Sequence, residues 1–382
     1  MSSHPQPKLS SPAPQAPSPK GGSGQKPPVE RDRTAAAATA RTPDKPAPAN
    51  GATRLATAAR RFPLDSDTLK RYLRQMVTLR EFERLGEREF KNGLIRGYYH
   101  SYAGQEAVGV GLFSALDLKT DYIVDGYRDH GHMLLCGMDP VRIYAELFGR
   151  ATGVSKGKGG SMHMYSPEDH FLGGDGIVGG GFSVATGVGL ALKQQKQPGI
   201  CVCFFGDGAL DTGTFHESLN MASLWKVPTV FACINNMYSM GTSLERHSSL
   251  PRLVDRASGY GIPTEQVDGQ DVWATTAAAQ RIFSQVRRQR RPYFVEILTY
   301  RYQGHGIHDK PLNYRTLEEE TAWHARDPLK LITDFLLEEK LLTLAQIEQL
   351  RQAVVGELEA KVAEAKTGPE PAPEELFHDV LA

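Results

Sequence analysis

ICVCFFGDGAL, residues 200 to 210, decides how this chain is read. Ile200 to Phe205 is a continuous apolar, β-leaning run broken by Gly206-Asp207-Gly208, the pattern of a strand buried on both faces of a parallel sheet. His216 to Trp225 then carries Leu219, Met221, Ala222 and Trp225 at helical spacing, and Val227 to Ile234 is a second buried strand. Strand, helix, strand is a βαβ unit, whose two strands run the same way. Asp207 and Asn236, 29 positions apart, are therefore expected at one carboxyl edge, where open α/β sheets bind ligands. A carboxylate, an amide and a nearby backbone carbonyl are hard oxygen donors that suit Mg²⁺, which shares its octahedron between protein oxygens and substrate phosphates. The glycines beside Asp207 let a diphosphate approach the backbone closely. Gly-Asp-Gly is also an ordinary turn, so the ligand reading depends on what surrounds it.

Outward from this unit stand GYYHSYAGQEA (97–107), GYRDHG (126–131), GKGGSMHMY (157–165), GDGIVGGGFSVATGVGLA (174–191), NNMYSMGTS (235–243) and YRYQGHG (300–306). In this order and spacing they resemble the alpha subunits of thiamine diphosphate-dependent 2-oxo acid dehydrogenases, nearest the pyruvate dehydrogenase type, from about Phe62 to the C-terminus. The resemblance implies a thiamine diphosphate-binding α/β fold: a mostly parallel sheet flanked by helices, with a helical C-terminal extension. It implies that Asp207, Asn236 and the carbonyl of Tyr238 ligate Mg²⁺, and that Gly208 and Ala209 offer backbone donors to the diphosphate. Arg301 would neutralise phosphate charge, for which a guanidinium fork is well shaped; the plain alternative is a surface ion pair at a strand end. Tyr127 and Arg128, after the short strand TDYIVD, match positions near the diphosphate, and Gly176 and Val178 match the segment facing the aminopyrimidine ring. The Gly173 to Gly181 cluster could be a flexible turn, but the small-residue helix that follows favours a packed, ligand-facing loop.

His100 and His305 are the proton-handling candidates, since their matching positions flank the reacting carbons and imidazole titrates near neutral pH. His163 is expected only near the site. The carboxylate that activates the cofactor comes, in such enzymes, from a second, pyrimidine-binding domain, and this chain has only helices after His305. A separate beta subunit in an α₂β₂ heterotetramer is implied, feeding a lipoyl-bearing dihydrolipoamide acyltransferase. Two positions depart from the pattern: Ile234 where relatives commonly have Glu, and Asp211-Thr212-Gly213 where many have Asn-Gln-Gly, so Asp211 is expected to add negative charge near the diphosphate. Mitochondrial relatives carry regulatory serines where this chain has Gly306 and Asn313; Ser243 is the matching serine that remains. Pyruvate is the expected substrate; a branched-chain 2-oxo acid or acetoin is the alternative, and a non-catalytic homologue is a reading of another class.

The net charge of zero hides a split, because residues 1–61 hold ten Lys or Arg against three Asp or Glu. They also hold 11 of the 24 prolines and no aromatic residue, so they are expected to be a disordered tail. Their Ala-rich, Arg-containing second half has some transit-peptide character, but the first 30 residues lack Arg, which favours a cytoplasmic protein over a mitochondrial one. The tail lacks the interleaved aromatics of a nucleic-acid binder, and no membrane span is visible. Cys136, Cys201, Cys203 and Cys233 have no zinc spacing and read as buried, reduced thiols. Residues 62–316 are expected to form the diphosphate-binding domain and 317–382 the helical extension. Asp65 and Ser66 can cap a long helix with Leu69, Tyr72, Leu73, Met76, Leu79 and Phe82 on one stripe. Asp327-Pro328 and Thr343 with Gln346 are helix starts.

Overall fold

The computed structural model describes residues 62–380, so the expected basic tail lies outside the described residues. Five strands, β1 (Tyr122–Val124), β2 (Cys201–Gly206), β3 (Thr229–Asn235), β6 (Thr264–Asp268) and β7 (Tyr293–Leu298), form one parallel sheet in the order β1-β2-β3-β7-β6. β4 (Tyr238–Ser239) and β5 (Thr242–Ser243) make a short antiparallel hairpin beyond β3. The expected βαβ unit is β2, the helix Gly213–Trp225, and β3, with Gly206 paired to Ile234. That register brings Asp207 and Asn236 to one edge.

The period of two in each strand builds the layers. Val202 and Phe204 of β2, Val230 and Ala232 of β3, and Val295 and Ile297 of β7 enter the larger apolar cluster. Their alternates Cys201, Cys203, Phe231, Cys233 and Phe294 enter a second cluster on the other face. Helices Ser66–Lys91, Glu106–Phe113 and Val272–Gln289 cover the first face, while Gly180–Gln194 and Gly213–Trp225 cover the second. None of the cysteines is bonded, and burial pushes all four thiols above their ordinary range.

The C-terminal helices begin as their caps dictate. Asp327 accepts from Leu329 N ahead of Pro328, and Thr343 and Gln346 form a reciprocal capping box. Val354, Leu358 and Val362 of the helix Leu344–Lys366 and Ile332 and Leu336 of Pro328–Glu338 join the same cluster as Leu73 and Met76 of the first helix. The first helix also buries Glu81, Glu83 and Glu89, which periodicity does not reveal. Each is compensated: Glu81 by Arg84 and Arg351, Glu89 by Arg88 and Lys366, and Glu83 by the Tyr99 hydroxyl at 2.6 Å and His130 Nδ1 at 3.1 Å. Among the described residues no helix is long and apolar enough to cross a membrane.

Candidate active site

The carboxyl ends of β1, β2, β3 and β7 surround a cavity of about 300 Å³. Every candidate residue lines it: His100; Tyr127 and Arg128 after β1; Gly176 and Val178 ahead of the helix Gly180–Gln194; Asp207, Gly208 and Ala209 after β2; Asn236 and Tyr238 after β3; and Arg301 and His305 after β7. His163 lies at its rim, within 3.1 Å of where a Cβ on Gly176 would stand.

The oxygen donors are held by local geometry. Asn236 donates from Nδ2 to Gln105 Oε1 at 3.3 Å, which turns its Oδ1 the other way. Tyr238 lies between Met237 (φ 73°) and Met240 (φ 53°), two left-handed non-glycine residues that reverse the chain twice in four residues. Asn235 Oδ1 steadies the first reversal by accepting from Met237 N at 2.9 Å. Asn236 Oδ1 and Tyr238 O then converge on one point, filled by Nη1 of Arg301 at 3.0 and 2.7 Å. A cationic nitrogen between an amide oxygen and a carbonyl oxygen, with Asp207 1% exposed on the same edge, marks a donor set that fits Mg²⁺.

Arg301 is itself 1% exposed, so the surface ion pair is excluded. It also donates to Met240 O and to the Tyr314 hydroxyl, while its Nε is buried without a partner. Arg128 donates to Ser101 O and to His305 O at 2.9 Å, so its guanidinium ties the two histidine-bearing segments together. Burial, with Arg301 next, pushes Arg128 down to about 10. Among the described residues neither arginine has a carboxylate partner at ion-pair distance, and buried cations without counterions favour an anionic ligand.

The imidazoles of His100 and His305 are 5.0 Å apart and nearly perpendicular. Burial first, then Arg128, pushes His100 down to about 2 and His305 to about 3. This corrects the expectation of near-neutral titration: beside two arginines both rings are neutral at physiological pH, each able to donate one N–H. His100 Nδ1 is buried without a partner.

Close approach dictates two glycines. A Cβ at Gly208 would stand 2.2 Å from Ser239 Oγ, so the hairpin itself requires this glycine; at Gly206 it would meet nothing. Gly179, at φ 82°, caps the helix Gly180–Gln194, and a Cβ there would meet Thr212 Oγ1 at 2.4 Å.

Several site residues escaped the sequence reading. Gln105 is fully buried at the cavity wall with Nε2 unpartnered; its place in GYYHSYAGQEA, five residues past His100, was the available signal. Asp125 also lines the cavity, bonded to His132 Nδ1 at 2.5 Å, whose Nε2 meets the Tyr102 hydroxyl at 2.9 Å. Asp211, expected to burden the diphosphate with charge, is instead paired: Arg256 Nη1 lies 2.7 Å from its Oδ1 and His247 Nδ1 2.7 Å from its Oδ2. His247 Nε2 is 3.1 Å from Asp207 Oδ2, and that hydrogen bond leads the causes that raise its pKa.

A parallel sheet whose carboxyl edge gathers oxygen donors, buried guanidiniums and neutral imidazoles defines an α/β enzyme built to take a phosphorylated cofactor. Residues 74–374 match the family model described as dehydrogenase E1 component, and the chain belongs to that family. Family membership brings thiamine diphosphate dependence and 2-oxo acid decarboxylation. The chain is similar to the pyruvate dehydrogenase E1 component subunit alpha of Rhizobium meliloti, 42% identical over 316 residues that cover 82% of this chain and 90% of that one. It is 40% identical over 322 residues to the protein of that name from Zymomonas mobilis, covering 84% and 90%. To the mitochondrial one of Dictyostelium discoideum it is 40% identical over 317 residues, covering 83% of each chain.

Proposed function

We propose that this chain is the alpha subunit of a pyruvate dehydrogenase, catalysing oxidative decarboxylation of pyruvate with acetyl transfer to lipoyl groups of a dihydrolipoamide acyltransferase. The observation that carries the reading is the point between Asn236 Oδ1 and Tyr238 O that already holds a cationic nitrogen, in a cavity with two buried guanidiniums that have no carboxylate partner among the described residues. Asp207, Asn236 and the Tyr238 carbonyl would hold Mg²⁺, and Arg301, released from those oxygens, would turn to the diphosphate. Gly208 and Ala209 would supply backbone contacts to it, Tyr127 and Arg128 would lie beside it, and Gly176 and Val178 would face the aminopyrimidine. Bound thiamine diphosphate supplies the carbanionic carbon and the electron sink for decarboxylation. His100 and His305, neutral and adjacent, would donate N–H to the carbonyl oxygen of the 2-oxo acid without placing a full charge there.

After Leu298 the described chain contains helices and turns and no further strand. The relatives this chain is similar to are named alpha subunits, which supports an α₂β₂ assembly with a beta subunit closing the cavity. The test is calorimetric titration of thiamine diphosphate with MgCl₂ into the purified α/β assembly, wild type and Asp207→Ala. Metal-dependent cofactor binding is expected only in the wild type; equal affinity in both sinks the metal assignment. Steady-state rates with pyruvate, 2-oxoisovalerate and acetoin decide the substrate, and pyruvate is expected to give the highest kcat/KM.

A further inference from the structure

The pairing of Asp211 is more than neutralisation of a stray charge. Arg256, from the helix Val254–Ser258, is fixed by three acceptors: Leu210 O at 3.1 Å, Asp211 Oδ1 at 2.7 Å and Ser248 Oγ at 3.1 Å. The other oxygen of Asp211 takes His247 Nδ1 at 2.7 Å, and the opposite ring nitrogen reaches Asp207 Oδ2 at 3.1 Å. The row Arg256, Asp211, His247, Asp207 therefore crosses three separate short elements and ends on the carboxylate at the cavity edge. A carboxylate's terminal torsion is broad when nothing holds it, and here a rigid ring holds it from behind. An asparagine at 211, as in the resembling pattern, has a single carbonyl oxygen and could not give separate oxygens to Arg256 and His247 in this way.

We propose that His247 is a positioning residue for the metal: Asp211, anchored by Arg256, fixes the His247 ring, and the ring holds one oxygen of Asp207 so that the other is presented to the cation. The proposal rests on the metal role given to Asp207 above. Partners behind a ligating group orient it, and their loss typically weakens metal binding by 10-fold to 100-fold. Asp211, one of the departures from the resembling pattern, is on this account one half of a matched pair.

The test uses the α/β assembly at saturating thiamine diphosphate, titrated calorimetrically with MgCl₂ and, for a spectroscopic signature, with MnCl₂ read by electron paramagnetic resonance. His247→Ala is expected to weaken Mg²⁺ binding roughly tenfold and to change the bound-Mn²⁺ spectrum. His247→Gln, which keeps a donor towards Asp207, should recover most of both. Asp211→Asn should weaken binding in the wild-type background and add nothing in the His247→Ala background. Unchanged affinity in His247→Ala overturns the proposal, as does tighter binding, which would make His247 an obstruction. Additive effects of the two substitutions overturn the coupling. Failure of the wild type itself to bind Mg²⁺, with Asp207→Ala indistinguishable from it, removes the metal reading and this proposal with it.

Discussion

His100 and His305 are kept neutral by where they sit, and this has a measurable sign. An imidazole ordinarily takes up a proton near pH 6.5, whereas these two do so only near pH 2 and 3 once folded. Below about pH 6.5 the unfolded chain therefore binds protons that the folded chain refuses, so stability is lost as pH falls through that value and is intact above it. Nitrogen-15 spectra of histidine-labelled protein at pH 5.5 should show two rings with neutral-imidazole shifts, and His305→Gln should flatten the pH dependence of urea unfolding between pH 7 and 5. Gly306 is fixed by contact, since a Cβ there would stand 2.1 Å from Tyr98 Cε1. Gly306→Ser should cost about 1–3 kcal/mol of stability through displacement of Tyr98, read as a lower urea midpoint. With glycine at 306 and Asn at 313, a mitochondrial-type kinase finds no hydroxyl at either place, and treatment with it and ATP should leave activity unchanged. The gathering of the candidate residues was legible because each lies in a short motif, most at strand ends and the rest, such as Gly176 and Val178, in a loop that opens a helix. The partnerships were not: Gln105 meets Asn236 across 131 positions and Asp211 meets Arg256 across 45, and no local pattern encodes such distances.

A single side chain organises one whole element, the loop from Gly153 to His163. Glu146, at the end of the helix Pro140–Leu147, accepts from Ser155 N and Gly157 N at 2.8 Å, from Gly159 N at 2.7 Å and from Gly160 N at 3.1 Å. A carboxylate serving four amides is acceptor-only, and Gln cannot replace it without turning a donor towards donors. Glu146→Gln should cost on the order of 3 kcal/mol and loosen the loop, so trypsin should cut at Lys156 and Lys158 much faster than in the wild type; unchanged cleavage would show that the loop stands without the carboxylate. Strands were readable where both faces are apolar, as in β2 and β3, whose ends shift by only one or two residues from expectation. β6 was not, because Glu265 and Gln266 stand partly exposed at the sheet edge, and the hairpin β4–β5 is too short to carry a period.

Across the whole molecule, the chain closes on itself where the helix Leu344–Lys366 lies along Ser66–Lys91. The apolar seam dominates this closure. Leu358→Ala should cost about 2–5 kcal/mol, whereas Arg74→Ala, which removes an exposed pair with Glu357, should stay within about 1 kcal/mol; urea unfolding of the two variants would reverse this order if the ionic ladder were the main clasp. The helical C-terminus could be read from its caps, but not its destination, because an amphipathic stripe says that a face is covered and not by what. The thiols of β2 and β3 have a practical consequence at this scale. Cys201, Cys203 and Cys233 sit at the centre of the sheet, fully enclosed and held in the unreactive protonated form. An alkylating reagent can reach Cys201 and Cys233 only through openings that lift the covering helices from the sheet, whereas Cys203 also lines the cavity and is shielded further by whatever fills it. Their labelling rate is therefore a clock for the deepest breathing of the molecule, and slowing of that clock as ligand is added would report binding without any assay of turnover.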